Sequence, residues 1–206
     1  MTQHKFLALG DSYTIGEGVD QEVSWPFQLR RALKQKKVEL APPVVLARTG
    51  WTTEELESAI GEADLQGPFD LVTLMVGVND QYRGYEVERF EIGFQRLLHQ
   101  ACGFSSRGAA GVLVLSIPDW GVTPFAMDRD LHKIAHEIDT FNRSAARRCE
   151  SQQVTWVDVT SCSRAVGSQP HMLVADQLHP SRHQYEEWVE ILWPIARQHI
   201  LPGETP

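Results

Sequence analysis

The sequence predicts an α/β fold in which a five-stranded parallel sheet, strand order 2-1-3-4-5, carries helices on both faces. Three observations lead there. Short apolar runs alternate with longer amphipathic ones along the 206 residues. Most of the short runs are continuously apolar, the pattern of parallel strands buried on both sides. Five strand–helix units joined by right-handed crossovers wind into a doubly wound sandwich, for which 2-1-3-4-5 is the expected order.

The predicted strands are Phe6 to Leu9, Val44 to Ala47, Leu71 to Val76, Val112 to Ser116 and Val154 to Val159. Helical periodicity covers about Trp25 to Gln35, Thr53 to Ala63, Val87 to Cys102, Leu131 to Glu150 and Arg182 to His199. Capping boxes are expected where Thr52 precedes Glu55 and where Ser181 precedes Gln184. The segment Ile117 to Asp130, with Trp120, Phe125 and two prolines, follows the fourth strand. It should therefore lie at the carboxyl edge of the sheet, as a site wall, a lid or an ordinary long loop. No repeat or low-complexity tract divides the chain, so one domain over residues 1–206 is expected.

Composition excludes several function classes. Hydrophobic residues make up 42% and charged residues 22%, a soluble globular mixture that can bury a core without a disulfide or metal staple. The formal net charge of −8, with no basic stripe, argues against a nucleic-acid partner. Lys34 to Lys37 and Arg147-Arg148 read as solvated helix faces. Cys102, Cys149 and Cys162 form neither a C-x-x-C pair nor a disulfide framework, which suggests idle thiols in a reducing compartment. Met1 to Lys5 runs into a strand without a signal-peptide pattern, and no apolar run approaches a membrane span. A cytoplasmic location without integral membrane contact is expected; no oligomeric state is assigned.

Four motifs fall at strand ends or just before helices. Gly10-Asp11-Ser12 follows the first strand, where a helix N-terminus offers N–H groups and positive dipole to an alkoxide; a plain helix cap is the alternative. Gly50 precedes the capped helix and lets the backbone approach a ligand, although simple turn chemistry explains it as well. Gly77-Val78-Asn79-Asp80 follows the third strand, so Asn79 brings an amide donor to the same edge; an Asx-turn is the competing reading. Asp176 and His179 share one loop, close enough for a carboxylate to orient an imidazole, or else form a surface turn feeding the next helix. Each motif alone is ordinary. Together they supply nucleophile, oxyanion donors and oriented base on one sheet edge.

These four blocks, in this order and spread over nearly the whole chain, resemble those of the SGNH (GDSL) hydrolase family. The resemblance implies a three-layer flavodoxin-like sandwich and a Ser12–His179–Asp176 triad. It also implies an oxyanion hole from the Ser12 and Gly50 N–H groups and the Asn79 side chain. A metal-independent, cofactor-free serine esterase with a small-molecule ester substrate follows as the expectation. Tyr13 stands where the family's familiar leucine follows the serine, which bears on the substrate pocket and not on the chemistry.

Rival readings fit fewer residues. No G-x-S-x-G elbow supports an α/β-hydrolase. A flavin or nucleotide binder could use Ser12 to Gly16 against phosphate, but G-x-G-x-x-G and the Walker lysine are missing. His132 and His136 have metal-ligand spacing on a helix, yet lack the H-E-x-x-H glutamate and a third ligand. Tyr13, Trp51, Tyr82 and Trp120 flank the motifs and are candidates for lining the substrate pocket, or ordinary packing. The absence of any inserted cap leads us to expect short acyl chains, with thioesterase or lysophospholipase activity on the same triad as the alternative.

Overall fold

A computed structural model describes residues 3–203. Met1 and Thr2, part of the segment read above for an export signal, lie outside the described residues.

Five strands, β1 (Phe6–Gly10), β2 (Val44–Ala47), β3 (Leu71–Met75), β4 (Val112–Leu115) and β5 (Thr155–Val157), form a parallel sheet in the order β2-β1-β3-β4-β5. This is the predicted order. β1, β3 and β4 are buried along their whole length. The edge strand β2 is not: Val44 is 44% exposed, although its sequence is as apolar as the central strands. Continuous apolarity therefore reports a parallel strand here, and position in the sheet decides how much of it is covered. β5 is shorter than predicted because Asp158 turns away to cap the backbone of residues 160 and 161.

The helices are α1 (Ser12–Ile15), α2 (Trp25–Gln35), α3 (Thr53–Glu62), α4 (Val78–Tyr82), α5 (Val87–Phe104), α6 (Leu131–Ser151), α7 (Thr160–Val166) and α8 (Arg182–Ile200). The chain winds one way from β1 to β2 and the other way from β3 to β5, so right-handed crossovers put helices on both faces. On one face α2 packs on α8 over Trp25, Tyr185 and Trp188, all fully buried. On the other, α5 lies between α3 and α6, with Phe90 stacked 4.8 Å from Phe141 and 5.4 Å from Phe94. Each such ring removes about 150–250 Å² from water, so these two clusters dominate the core.

The Thr52–Glu55 capping box is present: the Thr52 N–H donates to Glu55 and the Glu55 N–H to Thr52 Oγ1. The second predicted box is not. Ser181 Oγ accepts from the His183 N–H and donates to the His171 carbonyl, while Gln184 is turned into the protein interior. The start of α1 after Gly10-Asp11 is as expected, whereas α4 and α7 are not anticipated, because five and seven residues are too few to show periodicity.

Candidate active site

Strand register sets the site. Gly10, the last residue of β1, pairs with Ala47 of β2 and Met75 of β3, so all three strands stop at one level. The segments that leave them, Asp11-Ser12, Arg48 to Trp51 and Val76 to Asn79, emerge side by side.

Asp11 caps α1, its Oδ1 accepting from the Tyr13 N–H at 3.0 Å, and this places Ser12 at the first helical position. A residue there has no intrahelical partner for its own N–H, which leaves that donor for a ligand. Ser12 is only 4% exposed. Burial pushes the Asp11 carboxyl up to about 7; the Tyr13 N–H opposes this and the nearby Asp80 charge adds to it. Asp80 is a second buried carboxylate, raised chiefly by burial against the hydrogen bonds it receives. It accepts from the Thr53 N–H at 2.9 Å and from Thr53 Oγ1 at 2.6 Å, tying the third block to the start of α3. The loop carrying Gly50 is thereby fixed from below.

Gly50 has φ +86°, a left-handed conformation that disfavours any side chain. Its carbonyl accepts from Arg83, which also pairs with Glu55 at 3.2 Å. Gly77 is required twice over: φ is +124°, and a Cβ would stand 2.5 Å from the Phe90 ring. That turn starts α4 at Val78 and aims Asn79 at the Gly50 loop. Asn79 Nδ2 donates to the Trp51 carbonyl at 2.9 Å. A primary amide carries two N–H donors, so one anchors the side chain and one remains for the cavity.

Asp176 and His179 sit on a tight loop before α8. Asp176 Oδ1 accepts from the Leu178 and His179 N–H groups at 2.8 and 3.0 Å, and Oδ2 lies 2.6 Å from His179 Nδ1. Burial would raise the Asp176 pKa, but the bonds from the His179 ring and the two N–H groups outweigh it and hold the carboxyl below the usual range. Asp176 is therefore ionised at neutral pH, and its bond to Nδ1 leaves Nε2 as the free ring nitrogen. The loop is docked through α8: Tyr185 Oη donates to the Tyr13 carbonyl at 3.2 Å, and the Tyr13 and His179 rings lie 5.6 Å apart.

One cavity of about 220 Å³ joins these parts, with Ser12, Gly50, Asn79 and His179 all on its surface. Tyr13, Tyr82 and Trp120 line it too. Trp51 does not; its side chain is half-buried against the core and only its carbonyl serves the site, through Asn79. Asp176 stands behind His179, outside the cavity lining. Sequence reasoning missed Thr49, Val78 and Leu178 as lining residues, although each adjoins a motif. It named Phe125 only as part of the long loop. That loop is an anchored wall: Trp120 Nε1 donates to Gln81, Gln81 donates to Glu137 of α6, and the Phe125 N–H donates to the Gln177 carbonyl.

A sequence model of the GDSL-like lipase/acylhydrolase family matches residues 8–186. No curated protein matches the chain. Among solved structures, that of TesA superposes with a TM-score of 0.75 at 19% identity, covering 95% of this chain and 99% of that one. The lipase/acylhydrolase from Enterococcus faecalis gives 0.74 at 19% identity, over 98% of this chain and 100% of its own. The acetyl xylan esterase AlAXEase gives 0.72 at 18% identity, over 92% and 98%. At such identities the superpositions establish the shared fold, while the family match spans most of the sequence. With its four blocks gathered on one sheet edge, the chain belongs to the GDSL-like lipase/acylhydrolase family.

Proposed function

We propose that the protein is a serine esterase that hydrolyses short-acyl carboxylic esters through an acyl-enzyme on Ser12. The observation that carries this reading is the single cavity holding Ser12, Gly50, Asn79 and His179, with His179 oriented by Asp176 at 2.6 Å. In this reading His179 Nε2 takes the Ser12 hydroxyl proton as Oγ attacks the ester carbonyl carbon. The oxyanion is met by the Ser12 and Gly50 N–H groups and by the free Asn79 N–H. As the carbonyl re-forms, the C–O bond to the alcohol breaks and His179 returns its proton to the departing oxygen. Water then attacks the acyl-enzyme by the same route, releasing the acid and restoring Ser12. A cytoplasmic location, suggested by three unpaired cysteines, belongs to the same proposal.

Asn79→Ala tests the oxyanion assignment. Loss of one such donor is expected to lower kcat by about 10²–10³ with little change in KM. Steady-state kinetics on the purified variant decide it, because an effect confined to KM would make Asn79 a ground-state binding residue.

The cavity is smaller than the roughly 300 Å³ at which pockets for drug-sized ligands begin, which favours small acyl groups. One observation favours a second reading: Phe125 of the cavity lining is 41% exposed and Met127, two residues further along the chain, is 75% exposed, an apolar lip that a longer acyl chain or a lysophospholipid could follow. A thioester would also suit the triad. A series of soluble p-nitrophenyl esters and acyl thioesters separates these. We expect kcat/KM to peak at about two to six acyl carbons, since each further methylene gains its roughly 0.8 kcal/mol only if a groove buries it. A steady rise through decanoyl would select the lip, and a large thioester preference would select a thioesterase.

A further inference from the structure

The rim of the cavity carries a cation that the esterase chemistry leaves unused. Arg129, at the end of the wall segment, sits over three of the site's aromatic rings, its guanidinium carbon 5.1 Å from the Tyr82 centroid, 5.4 Å from Trp120 and 5.6 Å from Phe125. Its Nη2 donates to Tyr82 Oη at 3.0 Å. Tyr82, Trp120 and Phe125 all line the cavity. The cavity lining itself holds no Lys, Arg, Asp or Glu; Arg129 is the cation on its aromatic side, while Arg83 on Gly50, Glu17 on Thr49 and Asp176 on His179 are charges bonded to other lining residues.

Its surroundings set it apart from the cations nearby. Arg83 is engaged by Glu55 and the Gly50 carbonyl, Arg89 by Glu54, and Lys133 by Glu137. Arg129 has no carboxylate within ion-pair distance among the described residues. Its chain neighbour Asp130 is turned onto the Lys133 N–H, where it caps α6. A guanidinium has five N–H donors in a planar fork, and one suffices for Tyr82. Held against aromatic rings, it keeps its outer edge open for two parallel bonds to a carboxylate or phosphate. In a chain of net charge −8, a local cation is also what an anionic substrate needs to approach this edge.

We infer that Arg129 is a specificity-determining residue that selects esters bearing an anionic group a few bonds from the scissile carbonyl, an inference that rests on the esterase reading of the cavity. The ligand chemistry is an oxyanion substituent, carboxylate or phosphate, on an otherwise small and apolar ester. Aromatic rings take the carbon skeleton and the guanidinium edge takes the charge.

The test compares the p-nitrophenyl half-ester of glutarate with p-nitrophenyl pentanoate, which have the same carbon count in the acyl chain and differ by one negative charge. The wild-type protein is expected to favour the half-ester in kcat/KM. Arg129→Gln should lower the half-ester to pentanoate ratio about tenfold, the scale of one charge-assisted pair at a half-open site. Arg129→Lys should keep part of the preference and Arg129→Glu should reverse it. A wild-type preference for pentanoate, a ratio unmoved by Arg129→Gln, or an equal loss on both esters would overturn the inference; the last would make Arg129 a clamp on the aromatic wall. A binding measurement keeps this separable from the chemistry. Monomethyl glutarate, titrated calorimetrically into Ser12→Ala protein, should bind about tenfold more tightly than to Ser12→Ala/Arg129→Gln. If neither p-nitrophenyl ester turns over, the esterase reading fails while this affinity difference still decides Arg129, and equal affinities overturn it.

Discussion

Ser12→Ala protein is expected to lose esterase turnover by about 10⁶ in kcat while keeping its fold, because the substitution removes the nucleophile and almost nothing else. Ser12 stands at the first position of α1, after the capping residue, so the cap geometry depends on Asp11 and the Tyr13 N–H and not on the Ser12 hydroxyl. Its side chain faces the cavity and not the core. Circular dichroism and the melting temperature should therefore match the wild-type protein closely. A fluorophosphonate should label Ser12 alone. Buried serines elsewhere are structural: Ser116 accepts from the Val159 and Thr160 N–H groups, and Ser163 accepts from the Asp119 N–H. Undiminished turnover in purified Ser12→Ala protein would sink the mechanism, and labelling of a different serine would relocate it.

His179→Ala is expected to be about as damaging as loss of Ser12, because no other base on the cavity surface can take the hydroxyl proton. Asp176→Asn should cost less, on the order of 10⁴. The geometry explains the ranking. In the wild-type protein Asp176 Oδ2 receives the proton on Nδ1, which leaves Nε2 as an acceptor. In Asp176→Asn the side-chain oxygen can keep the Leu178 and His179 N–H groups, so the loop should hold its shape. The new NH₂ then faces Nδ1 and favours the tautomer with its proton on Nε2, which cannot accept from Ser12. Parallel kcat measurements on the two variants test this. Should Asp176→Asn prove the more damaging, Asp176 has a role other than orienting His179.

The cavity also shows where local reading stops. Each of the four blocks was recognisable because strand ends and helix starts carry their own signatures: Gly10-Asp11-Ser12 after an apolar run, Thr52 three residues before Glu55, Asp176 three before His179. Asp80 belongs to the third block, but its buried bonds to Thr53 join residues 27 apart, and no spacing rule announces such a pair. Proximity in sequence leaves Trp51 either lining the pocket or packing ordinarily; its ring packs on the core, since side-chain direction follows the backbone of a loop whose shape is set by Asp80, Asn79 and Arg83.

By itself the sequence determined the α/β class, the strand order 2-1-3-4-5 and the family, because hydrophobic periodicity and short motifs are encoded locally and right-handed crossovers leave few ways to arrange them. Only the tertiary structure decided that β2 is half uncovered, that Ser181 rather than a Ser181–Gln184 box caps α8, that the wall is pinned through Gln81 to Glu137, and that Arg129 lies on the aromatic rim. Those features depend on which residues far apart in the chain meet after the sheet has formed. They are contacts of packing and charge, and they exist only once the sheet and its helices have brought the partners together.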